Sequence, residues 1–180
     1  MKKILFIEQP TFPRSKEERL SLCDLLCDLA RRNPDKQIVI KQRFDKKVGH
    51  AHVVKFLLSD LITHPPENLV FDSHHIHDLI TDSDIEYAVT LSSTAALEAL
   101  IVGVPVYFLK DFGSCNNKYG VMDFAEIGTT ISNNDLLGGK LPDVNWAKVE
   151  YYVKCDGKAT ERIVDFVLSQ AHPEVDKSEE

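Results

Sequence analysis

Three adjacent hydroxyls, Ser92, Ser93 and Thr94, stand between two apolar runs, and the carboxylate of Glu98 follows one helical turn later. At the start of a helix, hydroxyls, unpaired backbone N–H groups and the helix dipole together favour an anion, so a phosphate suits this pattern. The plain alternative is that the hydroxyls cap the helix and Glu98 is a solvated charge. A second group points the same way. Lys41, Arg43, Lys46 and Lys47 set four positive charges against Asp45 in an otherwise acidic chain. Such a loop beside a helix start suits a phosphorylated ligand, although exposed lysines are common in any loop. The third group is Ser73-His-His-Ile-His-Asp78. Three histidines suggest a metal, but no second cluster of defined spacing accompanies them, and no metal site is expected. Helix capping, or contact with a base or sugar through Ser73 and His74, fits them better. The chain contains no Gly-rich phosphate loop, no G-x-G-x-x-G and no G-x-S-x-G. A hydrolase or a dinucleotide oxidoreductase is therefore disfavoured.

The elements that must position these groups alternate between strand and helix. Lys3 to Glu8 is an apolar run of the buried parallel type, followed by the Pro-stiffened loop Gln9 to Ser15. Ser15 with Glu18 fits a capping box, and Leu20, Leu22, Leu25, Leu26 and Leu29 give the next helix its apolar face, to about Arg32. Gln37 to Lys41 is a second strand, Val53 to Ile62 a helix, Asn68 to Asp72 a third strand and Ile76 to Thr81 a short helix. Tyr87 to Leu91 is the fourth strand. In the helix after Thr94, Leu97, Leu100 and Ile101 form an apolar stripe, Gly103 and Pro105 end it, and a fifth strand runs to Leu109. Beyond lie a loop from Lys110 to Tyr119, a helix over Val121 to Ile127, a loop over Asn133 to Val144, and helices at Trp146 to Tyr152 and Ala159 to Ser169. This order predicts an α/β fold: a doubly wound, Rossmann-like parallel sheet of five or six strands with helices on both faces. Ligands of such sheets bind at the carboxyl ends of the strands, which here carry Gln9, Lys41, Arg43, Ser73, His74 and the Ser92–Thr94 turn.

Composition narrows the partners. The net charge is −7, and Glu174, Asp176, Glu179 and Glu180 against Lys177 supply −3 of it, leaving −4 for the remainder. That balance argues against a general nucleic-acid surface while allowing a local basic pocket. No apolar run reaches the ~18 residues that span a bilayer, and no signal-peptide pattern opens the chain. Cys23, Cys27, Cys115 and Cys155 lack metal-site spacing and read as reduced thiols of a cytoplasmic protein. One domain over 1–172 and a disordered acidic tail over 173–180 are expected.

The run Thr90-Leu-Ser-Ser-Thr-Ala-Ala-Leu-Glu-Ala-Leu-Ile-Val-Gly-Val-Pro-Val106 resembles the donor-binding signature in the C-terminal Rossmann-like domain of GT-B glycosyltransferases. It is most similar to capsule and lipopolysaccharide enzymes, including bacterial Kdo transferases and sialyltransferases that use CMP-sugars. Lys110-Asp-Phe-Gly113, Asn117-Lys-Tyr-Gly120 and Asp156-Gly-Lys-Ala-Thr-Glu-Arg-Ile163 also resemble recurring pieces of glycosyltransferases. The resemblance implies a nucleotide-sugar substrate and no resident cofactor. It places Ser92, Ser93 and Thr94 on phosphate and Glu98 on ribose; Gln9, Lys41, Arg43, Ser73 and His74, by their place at the strand ends, complete the expected nucleotide site. Two departures stand out. Many relatives carry Lys-Pro-His-Pro after the second strand where this chain has Lys41-Gln-Arg43, and His64-Pro65, which resembles the His-Pro motif of bacterial sialyltransferases, follows a helix rather than a strand. A GT-B enzyme also has an N-terminal acceptor-binding lobe, whereas here the first strand begins at residue 3. The resemblance thus implies a donor-binding domain, inactive alone, with catalytic residues unassigned, that meets the inner membrane at most peripherally through a partner lobe. The other readings are a non-enzymatic interaction domain and half of a UDP-sugar epimerase.

Overall fold

The computed structural model describes residues 1–9, 12–42, 56–81, 84–112, 127 and 129–171. Six parallel strands form one sheet in the order β3-β2-β1-β4-β5-β6. They are β1 (Lys3–Ile7), β2 (Gln37–Lys41), β3 (Leu69–Asp72), β4 (Ile85–Thr90), β5 (Val106–Leu109) and β6 (Thr129–Ile131). The helices are α1 (Lys16–Arg32), α2 (Leu58–Leu61), α3 (Ile76–Ile80), α4 (Ala95–Ile101), α5 (Asn133–Leu137), α6 (Trp146–Tyr152) and α7 (Ala159–Ala171).

The alternation of the strands divides the core in two. Ile4 and Phe6 of β1, Ile38 and Ile40 of β2, Tyr87 and Val89 of β4 and Tyr107 and Leu109 of β5 pack with α1, α2 and α5 on one face. Leu5, Ile7, Val39, Ala88, Val106 and Phe108 point the other way, onto α3, α4 and α6. β1, β2, β4 and β5 are apolar on both sides because both faces of the sheet are covered there, as parallel sheets require. This is the doubly wound, Rossmann-like sheet expected, with six strands.

Four local expectations are corrected. The face that α1 buries contains Arg19, whereas Leu20 is 41% exposed. Along α4 the buried stripe is Ala96, Ala99 and Leu100; Ile101 is 44% exposed. Within the helix expected from Val53 to Ile62, the described part forms only the single turn of α2, and residues 53–55 lie outside the described residues. The expected loop from Asn133 opens instead as α5, held by a capping box in which Ser132 accepts from Asp135 N–H while Asp135 accepts from Ser132 N–H. The strand before it, β6, is short and two-thirds threonine. The helix expected over Val121 to Ile127 lies outside the described residues apart from Ile127, as do Cys115 and the tail.

Ser15 caps α1 as expected, accepting from Glu18 N–H at 3.1 Å. Cys23 and Cys27 are buried on that helix. Burial pushes the Cys23 thiol up to about 12, so at neutral pH it packs as a small protonated hydrophobe. No described helix is long and apolar enough to cross a membrane.

Candidate functional site

The strand order reverses between β1 and β4. From β1 the chain proceeds to β2 on one side, and from β4 to β5 on the other, which opens a crevice at the carboxyl ends of these two strands. Gln9 and Ser92 face each other there and are joined twice. Gln9 Nε2 donates to the Ser92 carbonyl at 2.9 Å, and the Ser92 hydroxyl donates to Gln9 Oε1 at 2.5 Å. The structure therefore brings these two predicted residues together, and Ser92, 4% exposed, spends its proton on Gln9.

The rest of the hydroxyl turn is built on Thr90, which is fully buried. Its hydroxyl donates to the Ile7 carbonyl at 2.9 Å and accepts from Ser93 N–H at 3.4 Å, tying the turn to β1. Ser93 in turn accepts from Ala95 N–H at 3.3 Å, so one hydroxyl does act as a helix cap. Thr94 is exposed and its side chain makes no capping bond. Glu98, one turn on, is exposed too, and its carboxylate makes no hydrogen bond or ion pair among the described residues. Thr90→Val is expected to cost about 1–3 kcal/mol, since the isosteric side chain strands two polar groups under the turn. A fall in the urea midpoint with unchanged slope would measure it.

On the other wall, Glu8 and Arg19 form an ion pair of 3.1 Å whose side chains are 4% and 3% exposed. The guanidinium also donates to the carbonyls of Pro13 at 2.9 Å, Phe56 at 2.9 Å, Gln9 at 3.1 Å and Phe12 at 3.5 Å. One buried cation thereby shapes the loop after β1 and fixes it to Phe56, two residues before α2. Burial raises the Glu8 carboxyl above its ordinary value, against the opposing pull of Arg19. The Gln42 amide beside it also lowers Glu8, yet among the described residues its buried Nε2 completes no well-aligned hydrogen bond. Sequence reading passed over this group. Its signal was a carboxylate ending an apolar strand and an arginine three and seven positions before Leu22 and Leu26, on the apolar side of a helix.

The remaining predicted residues lie further along the same edge. Lys41 ends β2, opposite Ile7 on one side and Asp72 on the other, and its ammonium donates to the Gln42 carbonyl at 2.5 Å. Arg43 lies outside the described residues, as do Lys46 and Lys47. Ser73 and His74 follow β3, three strands from β4, which at about 4.8 Å per strand is roughly 14 Å. Ser73 is exposed. His74 is 75% exposed and its imidazole meets Asp72 Oδ1 at 2.8 Å. Burial alone would raise the Asp72 carboxyl, but hydrogen bonds from the His74 backbone and ring outweigh it and hold the carboxyl below its ordinary value. His75 caps α3, accepting from His77 N–H at 3.3 Å. Among the described residues no three metal-ligating side chains gather. Two exposed cations that sequence reading did not weigh complete this edge. Arg14, 5.2 Å over the Phe12 ring, sits in the β1 loop, and Lys110 follows β5. A shallow cavity of about 500 Å³ lies between β6 and residues 139–142, two strands from the reversal. Its carboxylate, Asp135, is engaged with Ser132, and it contains none of the groups gathered at the crevice.

Residues 1–166 match the family described as "Putative glycosyltransferase (DUF6716)". No curated protein matches the chain. Among solved structures, a "putative UDP-N-acetylglucosamine 2-epimerase" from Listeria monocytogenes superposes with a TM-score of 0.56 at 15% identity, over 94% of this chain and 45% of that one. The glycosyltransferase SnogD from Streptomyces nogalater gives 0.53 at 14%, over 93% and 43%. The UDP-GlcNAc 2-epimerase of Methanocaldococcus jannaschii, in complex with UDP-GlcNAc and UDP, gives 0.53 at 18%, over 93% and 45%. At these identities the likeness is one of fold, and the chain spans less than half the length of each.

Proposed function

The chain belongs to this putative glycosyltransferase family, and on that footing we propose that it is the donor-binding half of a glycosyltransferase that uses a pyrimidine nucleotide sugar. The observation that carries the reading is the state of Thr94 and Glu98. Both are exposed at the carboxyl end of β4, at the reversal of strand order, and among the described residues neither side chain is committed to a partner. Phosphate would take the backbone N–H groups of the turn with Ser93 and Thr94, and Glu98 would accept from the ribose hydroxyls. Arg14, Lys41 and Lys110 supply positive charge along the edge. Gln9 and Ser92 act on one another and would hold the crevice open rather than grip the ligand.

The CMP-sugar reading, with a role in capsule or lipopolysaccharide synthesis, rests on the likeness of the Thr90–Val106 run to the enzymes that use such donors. A UDP-sugar reading, including half of an epimerase, is favoured by fold neighbours whose ligands are UDP and UDP-GlcNAc. A transferase would be completed by an acceptor-binding lobe outside this chain and an epimerase by its other half, and the residues that move protons would come from that lobe or from the loops nearest the sugar.

Calorimetric titration with CMP, UDP and GDP tests the proposal and ranks the bases. Saturable binding of CMP or UDP is expected, weakened about tenfold by Glu98→Gln or Thr94→Val, the worth of one hydrogen bond of about 1.4 kcal/mol. Thermal unfolding of both variants should match the parent, because neither side chain stabilises the fold. Absence of binding by all three nucleotides, or variants that bind as the parent does, would favour a non-enzymatic interaction domain instead.

A further inference from the structure

Arg19 concentrates its donors on one small region. Among the described residues its buried guanidinium makes five hydrogen bonds: Nε to the Pro13 carbonyl, Nη1 to Glu8 Oε1 and the Phe56 carbonyl, and Nη2 to the carbonyls of Gln9 and Phe12. The apolar face of α1 comes from Leu22, Leu25, Leu26 and Leu29, so the arginine is not what lays this helix on the sheet. Nor does a buried ion pair add much stability over apolar side chains of the same volume. What a planar fork does supply is direction, because each acceptor must meet it at a set angle. Three of the four carbonyls lie in the loop after β1, at the rim of the crevice. One of those three leads into the site. Gln9 gives its carbonyl to Arg19 and turns its side-chain amide to Ser92, where it donates at 2.9 Å and accepts at 2.5 Å. Ser92 opens the turn that continues through Ser93 to the exposed Thr94. A chain of bonds thus runs from Glu8 through Arg19 and Gln9 to that turn, crossing from β1 to β4 at the reversal of strand order.

We propose that Arg19 is a positioning residue for the nucleotide site, acting through Gln9 on the Ser92–Thr94 turn. The proposal rests on the nucleotide reading of the crevice and adds to it a residue that the ligand never touches. Arg19 is 2% exposed, under the loop that it holds. With the Gln9 backbone fixed, its side chain meets Ser92 in one orientation, and the turn is set before a ligand arrives. Such preorganisation cuts the ordering cost of binding. Charge and direction are separable here. Arg19→Lys keeps a cation beside Glu8, but an ammonium is a point charge that cannot meet acceptors spread around a planar fork. Support of the fold by charge alone would survive that change, and the setting of the turn would not.

Calorimetric titration of the full chain with UDP and CMP tests the proposal on the parent, Arg19→Lys, Gln9→Leu and the double variant. Each is first checked for the near-ultraviolet dichroism of the parent. Arg19→Lys is expected to weaken binding about tenfold, as the loss of one ligand hydrogen bond would. Gln9→Leu should weaken it as much while leaving the Glu8–Arg19 pair intact. Because the two changes break one path, the double variant should also lose about tenfold, whereas independent effects would multiply to about a hundredfold. Should Arg19→Lys fail to fold, Glu8→Gln with Arg19→Gln, which leaves no unpaired charge, takes its place in the same cycle. Arg19→Lys or Gln9→Leu binding as the parent does overturns the proposal and leaves the nucleotide site standing. Losses that multiply overturn it as well, because the arginine then acts by another route. A parent that binds neither nucleotide removes the site itself, and the proposal falls with it.

Discussion

Arg19→Met should destabilise the fold by about 3–5 kcal/mol near neutral pH, the usual cost of removing one partner from a buried ion pair. The methionine fills similar space but leaves the Glu8 carboxylate uncompensated in a site that is 4% exposed to water. It also removes the donor to four backbone carbonyls, those of Gln9, Phe12 and Pro13 in the loop after β1 and that of Phe56 shortly before α2. The effect carries a pH signature. Burial already holds the folded-state pKa of Glu8 above its unfolded value of 4.5, with Arg19 opposing that rise. A raised carboxyl binds its proton in the folded state where the unfolded chain has lost it, so stability falls as pH increases through that window. Removing Arg19 raises the carboxyl further and widens the window. The deficit measured by urea unfolding should therefore shrink from pH 7 to about pH 5, and Glu8→Gln added to Arg19→Met should recover part of it. Equal losses at both pH values would show that the packing and carbonyl contacts matter and the charge does not.

Phe6→Ala should cost about 3–5 kcal/mol, as large-to-small changes at fully packed aromatic positions do. Phe6 is 1% exposed, lies between Ile40 of β2 and Val89 of β4 in register, and faces the α1 side of the core with Leu22 and Leu26. Neighbours pinned by strand pairing on both sides cannot collapse into the space, so the cavity contribution adds to the lost transfer energy. Phe6→Leu, which keeps most of the volume, should cost markedly less. Urea midpoints of the two variants compare the cases directly, and equal midpoints would mean that the α1 side relaxes freely.

The strands β1, β2, β4 and β5 were legible because parallel strands covered on both faces read as unbroken apolar runs, and Lys3–Glu8 and Tyr87–Leu91 do so. The short edge strand β6 was not, since Thr129-Thr130-Ile131 offers one buried side chain and its pairing to β5 comes from the tertiary fold. Arg19 hid within a leucine-rich helix because charge is read as surface until a buried carboxylate is known to face it. At the crevice, the hydroxyl turn was visible as a pattern, but the division of labour within it was not. That Ser92 spends its hydroxyl on Gln9, 83 positions away, while Thr94 stays uncommitted depends on strand order rather than on local sequence. Arg14 went unweighed for a similar reason. A lone arginine in a proline-rich loop gains meaning only once β1 is known to border the reversal.

The strand order also sets a timetable for making the chain. Strand β1 is central and pairs with β2, ending at Lys41, and with β4, ending at Thr90. During synthesis its first flank can be covered early, but the second stays an open apolar edge until Thr90 has emerged. At roughly 5–20 residues per second that interval lasts on the order of 2–10 s. For those seconds the nascent chain displays the unpaired rim of Ile4, Leu5, Phe6 and Ile7, the kind of edge onto which other strands add. Arrival of β4 closes it, and the Thr90 hydroxyl on the Ile7 carbonyl is among the bonds that complete the closure.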